Sequence, residues 1–122
     1  MISIREDGGN GGVSAFESEV HAIFSENGKL SHGAGFEFRK EQQDMACAVA
    51  RTLERGSQIV VEAGTGVGKS LAYLVPAALH ALRTKRKAVI STHTISLQEQ
   101  LIFKDIPFVQ KLLDEDFEAL LM

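Results

Sequence analysis

The chain is short of the features that staple, anchor or address a protein. It has a single cysteine, Cys47, among 122 residues, which excludes an internal disulfide framework and a cysteine cluster built from this chain alone. Long apolar runs are missing too. The longest, from Leu71 to Leu82, is too short to span a bilayer and contains His80. The first dozen residues carry acids and glycines where a secretory signal needs an apolar stretch. There are no internal repeats, and the glycine-rich opening is the one low-complexity segment. These absences lead us to expect a soluble, cytoplasmic protein. A strong charge of either sign is also lacking. The net charge is −3, but four of the sixteen acids fall in Asp114-Glu115-Asp116-Phe117-Glu118. The remainder holds 13 basic residues against 12 acids, so charge neither points to nucleic acid nor excludes it.

Apolar residues make up 44% and charged residues 24% of the chain, an ordinary globular balance for one domain or a piece of a larger one. One stretch organises the rest: Gln58-Ile59-Val60-Val61-Glu62-Ala63-Gly64-Thr65-Gly66-Val67-Gly68-Lys69-Ser70. The apolar run Ile59 to Val61 reads as a buried strand. It breaks into alternating glycines, then Lys-Ser, then the apolar periodicity of a helix. That order fits the phosphate-binding loop G-x-x-x-x-G-K-[ST], with Ala63 in place of the first glycine. Gly64, Gly66 and Gly68 can turn backbone N–H groups inward, and the positive end of the following helix adds to that concave seat for a polyphosphate. Ala63, Gly64, Thr65, Gly66, Val67 and Gly68 are thus cofactor-binding candidates. Lys69 brings a mobile point charge for the β- and γ-phosphates, and the Ser70 hydroxyl can complete the shell of Mg²⁺. Lys69 and Ser70 are therefore also the catalytic candidates, with Ser70 as the metal ligand. The loop alone says nucleoside triphosphate and no more.

Residues 1–13 read as a flexible leader. Ser14 and Glu17 have the spacing of a capping box, and Phe16, Val20, Ile23 and Phe24 mark one face of a short helix. Residues 25–36 read as loop. A second helix should run from about Lys40 to Arg55, burying Met45, Ala48, Val49, Thr52 and Leu53, and end at Gly56. Cys47 on it reads as a packed thiol. After the phosphate loop, Leu71, Leu74, Val75, Ala78, Leu79 and Leu82 form a helical stripe interrupted by Pro76, where a bend is expected. Arg83-Thr84-Lys85-Arg86-Lys87 closes that helix with cations that suit its dipole, or alternatively contact a phosphate backbone. Ala88-Val89-Ile90 reads as a second buried strand, parallel to the first across a right-handed crossover. Further helices should follow from about Ile95 to Phe103 and after Pro107. Leu112-Leu113-Asp114-Glu115 mimics an apolar strand ending in a metal-binding Asp-Glu, but its spacing is that of a solvated helix end. Phe117 to Met122 has the look of a strand begun. His21, His32, His80 and His93 lack metal-ligand spacing.

Two stretches narrow the choice of nucleotide-binding protein. In Phe36-Glu37-Phe38-Arg39-Lys40-Glu41-Gln42-Gln43-Asp44-Met45, a glutamine amide can donate to and accept from an adenine edge. In Ser91-Thr92-His93-Thr94, followed by Leu97-Gln98-Glu99-Gln100-Leu101, hydroxyls and helix-start N–H groups suit contacts to a nucleic-acid backbone, although Thr94 or Ser96 can equally be a simple helix cap. Together with the loop, these motifs resemble the DinG/XPD-like superfamily 2 ATP-dependent DNA helicases, most closely the bacterial DinG type, over about residues 16–122.

The resemblance implies an α/β fold: a partial RecA-like P-loop NTPase domain, three-layer αβα with a parallel sheet, after a helical N-terminal lead-in. Its divisions would be a flexible leader at 1–13, a helical lead-in with the adenine-reading motif at 14–56, and the N-terminal part of the ATP-binding domain at 57–122. It implies that Arg39 and Gln42 read adenine, that Ala63 to Ser70 hold Mg·ATP, and that Thr92, His93, Thr94 and Gln98 track single-stranded DNA. It also implies parts that these residues do not contain: cysteines for a 4Fe–4S cluster, a D-E-x-H motif, and a second motor domain bearing an arginine. The expectation is a chain that stops before the first cluster cysteine and binds Mg·ATP without useful hydrolysis. The competing readings are another phosphate-loop enzyme such as a small kinase, which would ignore DNA, and a truncated, non-catalytic nucleotide-binding fragment.

Overall fold

A computed structural model describes residues 2–6, 12–64 and 68–122. Its elements run β1 (Ile2–Glu6), α1 (Ala15–Ile23), α2 (Lys40–Arg55), β2 (Ile59–Ala63), α3 (Lys69–Thr84), α4 (Ile95–Gln100) and α5 (Ile106–Leu113), with wide π turns at Lys29–Gly33 and Leu101–Asp105. Local chemistry explains most boundaries. The Ser14 hydroxyl accepts from the Glu17 N–H at 3.0 Å and starts α1. The reciprocal half of the expected capping box does not form, because the Glu17 carboxylate is drawn to Arg51 at 2.8 Å. α2 ends where Gly56 takes the left-handed conformation, φ 64°, which turns the Ser57 N–H back to Thr52 O at 3.2 Å. Pro76 lies fully buried within α3, where its missing N–H removes one backbone bond.

The core is a helical one. α2 lies against α3, α1 packs on α2, and α5 closes on α3. Val20, Ile23, Met45, Ala46, Ala50, Leu74, Val75, Leu79 and Val109 meet between them. Burial of the alanines at 46, 50 and 72 lets α2 and α3 approach closely. Arg51 of α2 ties this body to β1 and α1 together. Its guanidinium donates to both Glu6 oxygens at 3.0 Å and to Glu17 at 2.8 Å.

Several sequence expectations are corrected. Among the described residues the sheet has two strands, and they are antiparallel, Ile2 opposite Ala63 and Glu6 opposite Ile59. The parallel sheet is absent from it. Residues 2–6, assigned to a flexible leader, supply the partner strand. The signal was there, since Ile2 and Ile4 alternate with Ser3 and Arg5, the period of a half-covered strand. The glycines that follow obscured it. β2 is not buried on both faces either: Ile59, Val61 and Ala63 are half-buried, while Val60 and Glu62 face solvent. Ala88–Ile90 forms no strand, and Val89 is 89% exposed. Three apolar residues become a strand only when a sheet edge pairs with their backbone, and no described strand does so here. Phe117–Met122 is likewise irregular. The acidic run is the solvated helix end expected, with α5 closing at Leu113 and Asp114 taking φ 52°. No described helix is long and apolar enough to cross a membrane.

Candidate phosphate-binding site

β2 delivers the chain to Gly64, and α3 begins at Lys69. Thr65, Gly66 and Val67, three of the expected cofactor-binding residues, lie outside the described residues. Gly68 takes φ 83°, ψ 44° at the start of α3, a conformation that glycine alone adopts without crowding. The space beside it is also taken. A β-carbon at Gly68 would collide with the side-chain amide of Gln42. That amide is buried and donates from Nε2 to Gly68 O at 3.1 Å. The fold therefore brings Gln42, from the first turn of α2, onto the turn that precedes Lys69.

Lys69 is exposed, and its Nζ donates to Ala63 O at 3.3 Å, spanning the loop from the helix start back to the strand end. The bond is long and solvent-exposed, so the ammonium is free to exchange it for a better acceptor. Ser70 is half-buried one position further into α3. Ala63, Gly68, Lys69 and Gln42 thus form one connected group, with the positive end of a 16-residue helix beneath it. Oxygen-rich anions and a hard cation are what this donor set suits: backbone N–H groups, an ammonium and a hydroxyl.

Arg39 is not gathered into that group by any hydrogen bond or ion pair among the described residues. It precedes α2 with extended backbone and pairs with Glu37 at 3.6 Å. The four residues assigned to DNA stand apart as well. The Thr92 hydroxyl donates to Thr94 O at 3.2 Å, and Thr94 accepts from the Leu97 N–H at 3.2 Å, capping α4. His93 is exposed and Gln98 half-buried one turn along. No hydrogen bond among the described residues joins this turn to the phosphate group. Sequence reasoning missed Arg51, which anchors β1 and α1 to α2, because an arginine mid-helix carries no signal of a partner 45 residues away in sequence. Cys47 is buried, with its thiol pushed up to about 11, first by burial and then by the nearby Glu17 carboxylate. No group of three or more His, Cys, Asp or Glu among the described residues could hold a metal ion.

A strand running into a glycine turn, followed by a helix that opens with Lys-Ser, is the arrangement of phosphate-loop proteins. Residues 40–112 match the DEAD/DEAH box helicase family, and the chain belongs to it. It is 43% identical over 100 residues to the ATP-dependent DNA helicase YoaA of Haemophilus influenzae, covering 81% of this chain and 15% of that protein. Over 69 residues it is 56% identical to the ATP-dependent helicase DinG of Mycobacterium tuberculosis, covering 57% and 10%. The 3'-5' exonuclease DinG of Bacillus subtilis is 37% identical over 98 residues, covering 80% and 10%. The chain thus spans no more than 15% of the length of these relatives. No solved structure matches it.

Proposed function

We propose that this chain is the ATP-binding portion of an ATP-dependent DNA helicase of the DinG/XPD type. One observation carries the reading most directly: the buried Gln42 amide bonds to Gly68 O, immediately before Lys69. That contact seats Gln42 against the turn that carries Lys69, so the two are positioned together. In this reading, the backbone amides from Gly64 to Lys69, with Thr65, Gly66 and Val67 between them, hold the β- and γ-phosphates at the positive end of α3. Lys69 exchanges Ala63 O for phosphate oxygens, and Ser70 would hold Mg²⁺. Bound Mg·ATP supplies the phosphoryl group and the metal charge that neutralises it. Gln42, with Arg39 swinging from Glu37, reads the adenine edge.

Thr92, His93, Thr94 and Gln98 hold the backbone of single-stranded DNA, and the Thr94 cap orients the α4 start for that purpose. The whole protein would add the parallel strands of a RecA-like sheet, an iron–sulfur cluster and a second motor domain. It would move 5′ to 3′ along DNA in the cytoplasm as hydrolysis opens and closes the cleft. The 122-residue chain, which holds the cradle but spans a small share of its relatives, binds Mg·ATP and turns it over slowly or not at all. Titration with a fluorescent ATP analogue tests this. Saturable binding that needs Mg²⁺ and is lost in Lys69→Ala supports the reading; binding that Lys69→Ala leaves intact overturns it. A phosphate-release assay showing robust turnover would overturn the claim that this portion is incomplete.

A further inference from the structure

α2 and α3 end on the same backbone turn with different residues. Gly56 has φ 64°, ψ 30°, and Lys85 has φ 58°, ψ 33°. A β-carbon is crowded in this left-handed region, and glycine relieves the crowding. The chain nonetheless keeps a lysine there and follows it with Arg86 and Lys87. All three are exposed, and none makes an ion pair or side-chain hydrogen bond among the described residues. Arg83, one turn earlier, shows where the nearby acids have gone: it holds Glu19 at 2.7 Å and Glu115 at 3.6 Å. The helix dipole accounts for a cation such as Arg83 inside the last turn, but its effect fades there. Arg86 and Lys87 lie beyond the helix, in an irregular segment leading to the Thr92–Thr94 turn. Three adjacent cations without a partner among the described residues, in a chain of net charge −3, make a concentrated positive patch.

We propose that Lys85, Arg86 and Lys87 form a second nucleic-acid contact, a sequence-indifferent anchor for backbone phosphates distinct from the hydroxyl-lined turn at Thr92–Thr94. It rests on the DNA-helicase reading above and adds a surface to it. Flexible point charges suit the repeated charge of a phosphate backbone, whereas the hydroxyls at 92 and 94 donate single, positioned hydrogen bonds. The two contacts therefore differ in their response to salt. Each phosphate neutralised on a single strand contributes about 0.7 to the slope of log affinity against log salt.

The test is fluorescence anisotropy of a labelled single-stranded oligothymidine with the 122-residue chain, across a salt series. The triple variant Lys85→Gly, Arg86→Gln, Lys87→Gln should flatten the slope by about 2, so between about 50 and about 200 mM salt the parent loses about 15-fold more affinity than the variant. Thr92→Ala with Thr94→Ala should weaken binding and leave the slope intact. The glycine at 85 relieves the backbone, so the triple variant should keep its thermal midpoint and its binding of a fluorescent ATP analogue. An unchanged slope in the triple variant overturns the proposal while the helicase reading stands. A parent chain that does not bind the oligonucleotide at low salt overturns both. Binding of polyglutamate that the triple variant loses, with the DNA slope unaltered, assigns the patch to an acidic protein partner and also overturns it.

Discussion

Two valines, Val75 and Val89, divide the molecule. Val75 sits on α3 with no exposed surface, while Val89, in the segment after the cationic patch, is 89% exposed. The side chains are identical, so hydrophobicity does not separate them. Neighbours do. α3 is covered on several sides by α2, α5 and the turn at Leu101–Asp105, whereas no described strand lies alongside residues 85–94. The candidate sites divide the same way. Gln42 and Gly68 are locked together across 26 residues of sequence. Among the described residues, the Thr92 and Thr94 side chains bond only to residues 94 and 97 nearby. A position fixed by several elements is expensive to disturb, and one fixed locally is not.

The largest expected effect tests that contrast directly. Leu74→Ala, which truncates a side chain 2% exposed in the core, should cost about 3 kcal/mol in urea unfolding, against less than about 0.5 kcal/mol for Val89→Ala. Equal losses would mean that residues 85–94 are covered in solution and the division is wrong. Next comes Arg51→Ala, which strands the buried Glu17 carboxylate and frees Glu6 on β1. A cost of about 2 kcal/mol is expected for a pair that is partly solvated, and β1 amides should then exchange faster by mass spectrometry; undisturbed β1 protection would show that strand pairing stands without the arginine.

Lys69→Ala should separate binding from stability. Its one side-chain bond among the described residues is long and exposed, so the unfolding midpoint should hold, while affinity for an ATP analogue falls about 30-fold, or about 2 kcal/mol.

The smallest effect concerns Cys47. Its thiol is raised from 9.0 to about 11 in the folded chain, so the folded state keeps a proton that the unfolded state releases. Stability should be unaffected by this group below about pH 9, decline between about pH 9 and 11, and level off above. Ser in place of Cys47 should remove that decline. Reaction with a thiol reagent at pH 8 should be slow until urea is added, and prompt labelling of the folded chain would contradict the burial.

Much of the helical body was legible because its cues are local. The span Lys40–Arg55 follows from apolar spacing closed by Gly56, and Ser14 and Thr94 cap the helices that their sequences announce. The strand into Gly64 and the helix from Lys69 follow from the same pattern of glycines and Lys-Ser. The sheet was not legible, because pairing is a choice among edges and no residue carries the identity of its partner. Ile2 and Ile4 hold only a two-residue alternation, equally consistent with a tail or a strand, until Ala63 and Val61 stand opposite them. Ala88–Ile90 carries a stronger strand signal and remains unpaired. For the candidate site, the motif named Gln42, and the contact with Gly68 O needed the packing of α2 against α3.

By itself, the sequence determined the helices, their caps, the loop chemistry around Lys69 and, through its motifs, the family. Such features depend on residues within a turn or two of one another, where backbone geometry and spacing suffice. Only the tertiary structure decided that β1 takes an edge of β2, that Arg51 gathers Glu6 and Glu17, and that among the described residues Arg83 finds acidic partners while Lys85 to Lys87 do not. Those outcomes are competitions between distant groups for the same partner, and which one wins depends on where the whole chain places them.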